Sequence, residues 1–186
     1  ENMRRKGKHM PEDRVIKALQ LLKAYFKTNT GNKLLPKVIF HGAEPLLNKK
    51  ALFSGIEKFS KEFTFGIQTN TVLLDAEAAS FLKSKKVSIG ISLDGPTAET
   101  VNKTRASWAG EGVFEQVNRA VELLKGYDAW SVICTITTEN MRSLPRMVSY
   151  LHENEVPNCL LNIVRCTLSS ARKIKPDDSI AARYFI

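Results

Sequence analysis

Two kinds of segment alternate along this chain, and the alternation limits the possible folds more than any other feature. Segments with apolar residues at the spacing of one helical face are followed by short, continuous apolar runs. Five helix–strand units in strict order imply a parallel sheet with right-handed crossover connections. The predicted helices cover 11–27, 49–61, 75–85, 113–125 and 141–153, and the predicted strands cover 37–41, 63–69, 87–93, 130–138 and 159–165.

The length of the chain indicates which kind of α/β fold to expect. A complete eight-unit barrel needs about 250 residues, and this chain has 186, so we expect an incomplete TIM-type barrel with a curved parallel sheet. The first predicted element is a helix, which suggests that a strand precedes Glu1. We therefore expect one core domain over 1–186, truncated at both ends, with a substrate or auxiliary region after Ile186.

Composition excludes several classes of protein. The chain is 43% hydrophobic and 25% charged, as in ordinary globular domains. No stretch approaches the roughly 20 apolar residues of a membrane span, and no apolar signal core follows the basic start, so we expect a cytoplasmic protein with no membrane partner. The three cysteines are Cys134, Cys159 and Cys166. They are too widely spaced for a disulfide framework or closed zinc site, and we expect them to be reduced and mostly buried.

The net charge of +9 favours anionic partners. Its visible runs are Arg4–Lys8, Lys49–Lys50 and Lys83–Lys86. Short lysine runs without interleaved aromatic residues are typical of solvated helix ends, so the pattern disfavours nucleic acid as a partner.

Polar residues gather where each predicted strand ends. They are His41 and Glu44, then Gln68, Thr69 and Asn70, then Ser92 and Asp94, then Thr137, Thr138 and Glu139, and finally Asn162 and Arg165. Ligands of parallel α/β sheets bind at this edge, so the five ends together predict one broad site. The alternative is that polar residues merely begin loops.

The first motif, 41–47, directly follows a strand and reads His-Gly-Ala-Glu-Pro-Leu-Leu. Gly42 and Ala43 have almost no side chain, so a ligand can approach the backbone closely and exposed carbonyls can accept hydrogen bonds from an ammonium group. Glu44 adds a carboxylate. The motif fits a pocket for a positively charged amine, although a helix-capping turn would use the same residues.

The second motif joins Ser92-Leu93-Asp94-Gly95-Pro96 to Arg105 and the Gly110-x-Gly112-x-Phe114 segment. A hydroxyl and a carboxylate at a strand end suit a ribose or an amino acid, and an arginine returning from the loop can bind a carboxylate with two parallel bonds. The two motifs together suit a zwitterionic amino acid that carries a sugar.

This ordered set of motifs, with Thr69-Asn70 between them, resembles the radical S-adenosylmethionine (SAM) superfamily, and most of all its sulfatase-maturing and peptide-maturing branch. The resemblance covers roughly 10–173. It implies a partial barrel in which a Cys-x3-Cys-x2-Cys loop holds a 4Fe-4S cluster. The cluster binds SAM and cleaves it reductively to a deoxyadenosyl radical, which modifies a peptide or protein side chain.

The resemblance also implies roles for individual residues. Gly42, Ala43 and Glu44 would bind the methionine amino group, and Arg105 would pair with its carboxylate. Ser92 and Asp94 would lie near the ribose, while Thr69 and Asn70 would line the adjacent strand end. The implied partners are a peptide or protein substrate and an electron donor such as flavodoxin or ferredoxin.

The chain departs from the family pattern in four places. Ala43 replaces a glycine, which requires a negative φ at that residue, Thr71 replaces a common glycine, and Val101-Asn102 stands where His-Asp is frequent. The cysteine triplet is absent, so the cluster ligands are expected upstream of Glu1 and we assign no metal ligand to this chain.

Two other functions remain open. One is radical chemistry on a small molecule or RNA, which has only the basic charge in its favour. The other is a noncatalytic barrel module that has lost its cluster, since a fold alone does not guarantee chemistry. The sequence identifies no catalytic acid or base.

Overall fold

A computed structural model describes residues 9–29, 35–105, 110–165 and 169–184 of the chain. Its centre is an open, curved sheet of five parallel strands in the order β1-β2-β3-β4-β5. The strands are Lys37–Phe40 (β1), Thr64–Thr69 (β2), Ser88–Ser92 (β3), Trp130–Ile136 (β4) and Cys159–Ile163 (β5). The predicted fold class, an incomplete TIM-type barrel, is confirmed.

Helices connect the strands. They are Glu12–Asn29 (α1), Lys49–Phe59 (α2), Ala76–Ser84 (α3), Ala98–Thr104 (α4), Phe114–Leu124 (α5), Leu144–Glu153 (α6), Ser169–Arg172 (α7) and Asp178–Ala182 (α8). Short 3-10 turns at Pro45–Asn48 and Met141–Ser143 precede α2 and α6. All five predicted helices and all five predicted strands are present, with ends shifted by a few residues.

Two parts of the fold differ from the sequence prediction. Helix α4 lies in what the sequence indicated as a long loop after β3, where Thr97 caps it by accepting a hydrogen bond from the Thr100 N–H. Strand β4 ends at Ile136 rather than at 138, because the Asn140 side chain accepts from the Thr137 N–H and turns the chain. The basic run Arg4–Lys8 and Cys166 lie outside the described residues.

The helices cover one face of the sheet. Strand side chains alternate between faces, and those on the covered face are almost fully buried against the helices. They include Phe65, Ile67, Ile89, Ile91 and Val132, which pack with Leu52, Ile56, Leu82, Val121 and Leu124. This layer is the main hydrophobic core.

The other face of the sheet carries small and polar side chains, which we call the open face. It is formed by Gly66, Gln68, Ser88, Gly90, Ser92, Ser131, Ile133 and Thr135. A Cβ atom at Gly66 would lie 2.6 Å from Ser88 Oγ, and one at Gly90 would lie 2.9 Å from Ile133 Cδ1, so these side chains share one face. Barrel interiors are normally filled by bulky branched side chains, and here most of those positions are small.

In the parts of the chain that the structure describes, no helix is both long enough and apolar enough to span a membrane. Within the same ranges, no three His, Cys, Asp or Glu side chains are grouped so that they could hold a metal ion.

Candidate functional site

The carboxyl ends of β1 to β4 lie side by side, because the strands are parallel and their order in the sheet follows their order in the chain. The segments after these strands therefore form one continuous rim. The rim carries seven of the eight predicted site residues: Gly42, Ala43, Glu44, Thr69, Asn70, Ser92 and Asp94. The eighth, Arg105, returns to the rim at the end of α4.

Glu44 ties the end of β1 to the end of β2. Its Oε1 accepts hydrogen bonds from the Leu46 N–H at 3.0 Å and from Thr69 Oγ1 at 2.9 Å. Its Oε2 accepts from the Asn70 N–H at 2.8 Å. Both carboxylate oxygens therefore have partners within the protein. Glu44 also caps the 3-10 turn Pro45–Asn48, so the capping role that was the alternative for this motif is present.

The backbone before Glu44 is open to a ligand. Gly42 has φ of +149°, a region that favours glycine, and no atom lies within 4 Å of the position its Cβ would occupy. Ala43 is not among the described residues with positive φ, as the sequence analysis required for an alanine there. Both residues are exposed, so a ligand can reach their carbonyl groups.

The backbone at Thr71 has a conformation that favours glycine, the residue that the sequence comparison with the family pattern leads us to expect here. Thr71 has φ of +70°, an unusual value for a β-branched residue, and its side chain is buried. Local hydrogen bonds hold it there, because its N–H donates to Thr69 Oγ1 and its hydroxyl donates to the Asn70 carbonyl. Strained backbone of this kind often accompanies binding sites.

Buried Asp94 and half-buried Arg105 form an ion pair. Arg105 Nε lies 2.6 Å from Asp94 Oδ2, although its N–H is not directed along that line, and Arg105 Nη2 donates to Asp94 Oδ1 at 3.2 Å. The Asp94 side chain is 6% exposed and the Arg105 side chain 25%. The arginine reaches the rim as predicted, but Asp94 occupies part of its binding capacity.

Asp94 also joins β3 to β4. Its Oδ1 accepts from the Thr135 N–H at 2.8 Å, and its Oδ2 lies 3.5 Å from Thr104 Oγ1, the hydroxyl that donates to it. Its backbone carbonyl accepts from Asn140 Nδ2 at 2.8 Å. The sequence analysis missed Thr135 and Asn140. The sequence feature that could have indicated Asn140 is the polar turn Thr137-Thr138-Glu139-Asn140 after β4, of which only the first three residues were assigned to the strand end.

Ser92 is the last residue of β3 and is half-buried on the open face, opposite Ile133 of β4. Ser92 precedes Asp94 by two residues in the sequence. Its place on the open face directs its hydroxyl towards the interior of the partial barrel. This placement agrees with a ligand that lies over the rim and reaches into the open face.

The side chain of Asn102 in α4 binds the backbone at the start of α5. Its Oδ1 accepts from the Val113 N–H at 3.0 Å and the Phe114 N–H at 3.2 Å. Gly112 lies so close to this amide that a Cβ atom would be 2.2 Å from Asn102 Nδ2. The departure at Asn102 thus keeps an acceptor oxygen, and the glycine of the Gly-x-Gly-x-Phe segment leaves room for the Asn102 amide in this position.

The cysteines do not resemble cluster ligands. Cys134 is buried, and burial together with nearby Asp94 raises the pKa of its thiol from 9.0 to about 12. Cys159 is exposed, which corrects the expectation that the thiols are mostly buried; it lies on the edge strand, where neighbours are fewer. Both are free thiols.

A cavity of about 290 Å³ is lined in part by residues 72–76, which follow Thr71. Its lining includes Lys49, Asp75 and Arg119, together with the segment that leads into α3. None of the eight predicted site residues contributes to it.

A family model for the radical SAM superfamily matches residues 2–151. An uncharacterised protein of Archaeoglobus fulgidus is 40% identical over 148 residues, which are 80% of this chain and 34% of that protein. The cysteine-type anaerobic sulfatase-maturating enzyme of Clostridium perfringens is 29% identical over 135 residues, which are 68% of this chain and 36% of the enzyme.

Among solved structures, anSMEcpe with bound AdoMet and the Cp18Cys peptide superposes with a TM-score of 0.66 and 25% identity, over 77% of this chain and 42% of that one. The chain spans about a third of the length of the Archaeoglobus fulgidus protein and of the Clostridium perfringens enzyme. It belongs to the radical SAM superfamily.

Proposed function

We propose that the complete polypeptide carrying this chain is a radical SAM enzyme that modifies a peptide or protein side chain. The observation that carries this proposal is the rim, where an open glycine turn, two strand-end hydroxyls and the Asp94–Arg105 ion pair lie along one edge of the sheet. Membership of the superfamily makes SAM and a 4Fe-4S cluster the expected cofactors.

The rim residues fit the amino-acid part of SAM. The exposed Gly42 and Ala43 carbonyls can accept hydrogen bonds from its ammonium group, while Glu44 holds that turn against β2 and adds negative charge. Thr69 and Asn70 line the same edge. A bound SAM would supply a carbon–sulfur bond whose one-electron reductive cleavage gives methionine and a deoxyadenosyl radical.

Arg105 fits the SAM carboxylate. A guanidinium has five N–H groups in a planar fork, and the contacts with Asp94 involve only Nε and Nη2. The remaining donors can bind a second carboxylate. Ser92 and Asp94 would lie beside the ribose, with Asp94 acting chiefly by holding Arg105.

The described residues do not fit a 4Fe-4S cluster. Iron–sulfur clusters bind thiolates, whereas the high pKa of Cys134 keeps its thiol protonated and no group of three candidate ligands exists in the ranges that the structure covers. We propose that the cluster ligands lie in polypeptide that precedes Glu1.

The open face supports a peptide substrate. Ser88, Ser92 and Ser131 on this face are only half-buried, so a ligand can reach a surface that bulky side chains fill in a closed barrel. The related anSMEcpe was solved with a peptide bound. The net charge of +9 supports an acidic electron-carrier protein, such as flavodoxin or ferredoxin, as the reductant.

Anaerobic assay of the complete polypeptide tests the proposal. With its cluster reconstituted and dithionite as reductant, the protein should consume SAM and release 5′-deoxyadenosine, measured by liquid chromatography with mass detection. The same protein without dithionite is the control and should release none. Protein with a spectroscopically verified cluster that binds SAM but releases no deoxyadenosine would contradict the proposal.

A further inference from the structure

The ends of β3 and β4 are joined by a buried amide that the predicted site does not include. Asn140 is 1% exposed, and its Nδ2 donates to the carbonyls of Asp94 and Thr135, each at 2.8 Å. Its Oδ1 accepts from the Thr137 N–H at 2.8 Å and lies 3.4 Å from Thr137 Oγ1. Every polar atom of this side chain therefore has a partner.

The carbonyls that Asn140 holds belong to the residues that place the ion pair. Thr135 donates its N–H to Asp94 Oδ1, so the backbone of β4 orients the Asp94 carboxylate. The two oxygens of that carboxylate then contact Arg105 Nη2 and Nε. The connection runs from Asn140 through the backbone of Asp94 and Thr135 to the Asp94 carboxylate, and from there to Arg105.

Nothing else described at this point replaces the amide. The β3–β4 ladder pairs Ser92 with Ile133, and beyond these residues the strands are connected by the Leu93 N–H to Ile133 carbonyl bond and by the Asp94 and Asn140 side chains. An amide can donate two hydrogen bonds and accept others from one planar group, whereas a carboxylate can only accept.

We propose that Asn140 is a positioning residue for Arg105: it keeps the ends of β3 and β4 at the separation at which Asp94 can hold the guanidinium towards the rim. The inference rests on the proposed function in so far as Arg105 binds the SAM carboxylate. Asn140 itself does not touch the cofactor.

The test uses Asn140→Asp in the complete polypeptide, with Arg105→Ala and the double variant. The substitution keeps the shape but removes both donated bonds and places a negative charge beside the Asp94 carbonyl. We expect SAM to bind about tenfold more weakly to Asn140→Asp than to the wild type by calorimetric titration. We expect little further loss when the same change is made in the Arg105→Ala background, because positioning acts through Arg105.

A second measurement does not depend on SAM. The Nε–H signal of Arg105 in ¹⁵N-arginine-labelled protein, assigned by its absence from Arg105→Lys, should shift and exchange faster with water in Asn140→Asp. Thr137→Val is the matched control, since it alters the opposite end of the same amide and leaves both donated bonds. It should leave the signal and the SAM affinity unchanged.

The outcomes separate this inference from the proposed function. Equal losses of affinity with and without Arg105, or an unchanged Arg105 signal, would overturn the positioning role. A changed signal in a protein that binds no SAM would support the positioning of Arg105 and refute the proposed function. If Asn140→Asp does not fold, Asn140→Ser, which keeps one donor, is measured in the same two ways and judged by the same criteria.

Discussion

Glu44 and Asp94 have the same arrangement at the rim, although the sequence suggests direct contact with a ligand for both. Each carboxylate accepts hydrogen bonds from the strand that follows its own in the sheet: Glu44 from Thr69 and Asn70, and Asp94 from Thr135. Parallel strands diverge where their ladder ends, and an acceptor that spans the gap holds the two ends together. These acids therefore shape the site as well as charge it.

Replacing Glu44 by Gln should destabilise the protein. Three donors need the two oxygens of Glu44, and the amide of Gln offers one oxygen and an NH₂ group that would face another donor. We expect the free energy of unfolding to fall by about 1 kcal/mol in urea titration.

The control for this experiment is Glu139→Gln. Glu139 is an exposed acid on the same rim, after β4, and removing its charge changes the local electrostatics without removing an acceptor that the fold uses. Its free energy of unfolding should match that of the wild type. Equal destabilisation by both variants would show that charge, rather than the hydrogen bonds of Glu44, matters.

At the scale of elements, helix α4 determines where Arg105 lies. The helix ends at Thr104, and the Arg105 N–H donates to the Val101 carbonyl at 2.8 Å, so the arginine leaves the helix as its C-terminal cap. Asn102 ties the same helix to the start of α5. The position of the arginine thus depends on a connection between two helices as well as on the ion pair.

Removing the Asn102 side chain should separate α4 from α5. In Asn102→Ala the N–H groups of Val113 and Phe114 lose their acceptor, and we expect a loss of about 1 kcal/mol in the free energy of unfolding, the usual cost of a lost helix cap. Asn102→Asp is the matched variant. It keeps the oxygen and places a negative charge at a helix N-terminus, so its stability should equal or exceed that of the wild type.

Urea denaturation of both variants measures these effects. Equal loss in Asn102→Ala and Asn102→Asp would show that the acceptor oxygen is not what matters at this position. In that case Asn102 would not replace the aspartate frequent in the family as an acceptor for the start of α5.

At the scale of the whole molecule, the sheet has two unlike faces. The covered face is a continuous apolar layer, and the open face carries glycine, serine and threonine together with Gln68 and Ile133. A face with few apolar side chains contributes little to stability, because burial of apolar surface is the main source of folding free energy. The open face is therefore expected to serve binding.

The same substitution on the two faces should have different effects. Ser131 lies on the open face opposite Gly90, and the next residue, Val132, is fully buried on the covered face. We expect Val132→Phe to lower the free energy of unfolding by about 1–3 kcal/mol through overpacking. Ser131→Phe should change it less, because Ser131 is only half-buried and its larger side chain can extend towards solvent. Similar losses in urea titration of the complete polypeptide would show that the open face is already filled.

The sequence by itself determined the class of fold and the edge of the sheet at which the site lies. Periodicity identifies each helix and strand locally, and strict alternation leaves few topologies other than a parallel sheet with its strand ends on one edge. The motifs at 42–44, 69–70, 92–94 and 105 could therefore be placed on a common rim. The conformation required at Ala43 could also be predicted, because it follows from the sterics of one residue.

Only the tertiary structure decided which polar groups pair with one another. The bonds of Glu44 to Asn70, of Asp94 to Thr135 and Arg105, and of Asn140 to Asp94 join residues far apart in the chain. Each bond forms only if the two atoms are placed to within a few tenths of an ångström. No local pattern encodes such distances, since they result from how the strands diverge and how α4 packs. For the same physical reason the sequence around Asn140 indicates only a turn, and its bonds to Asp94 and Thr135 are evident only from the positions of β3 and β4.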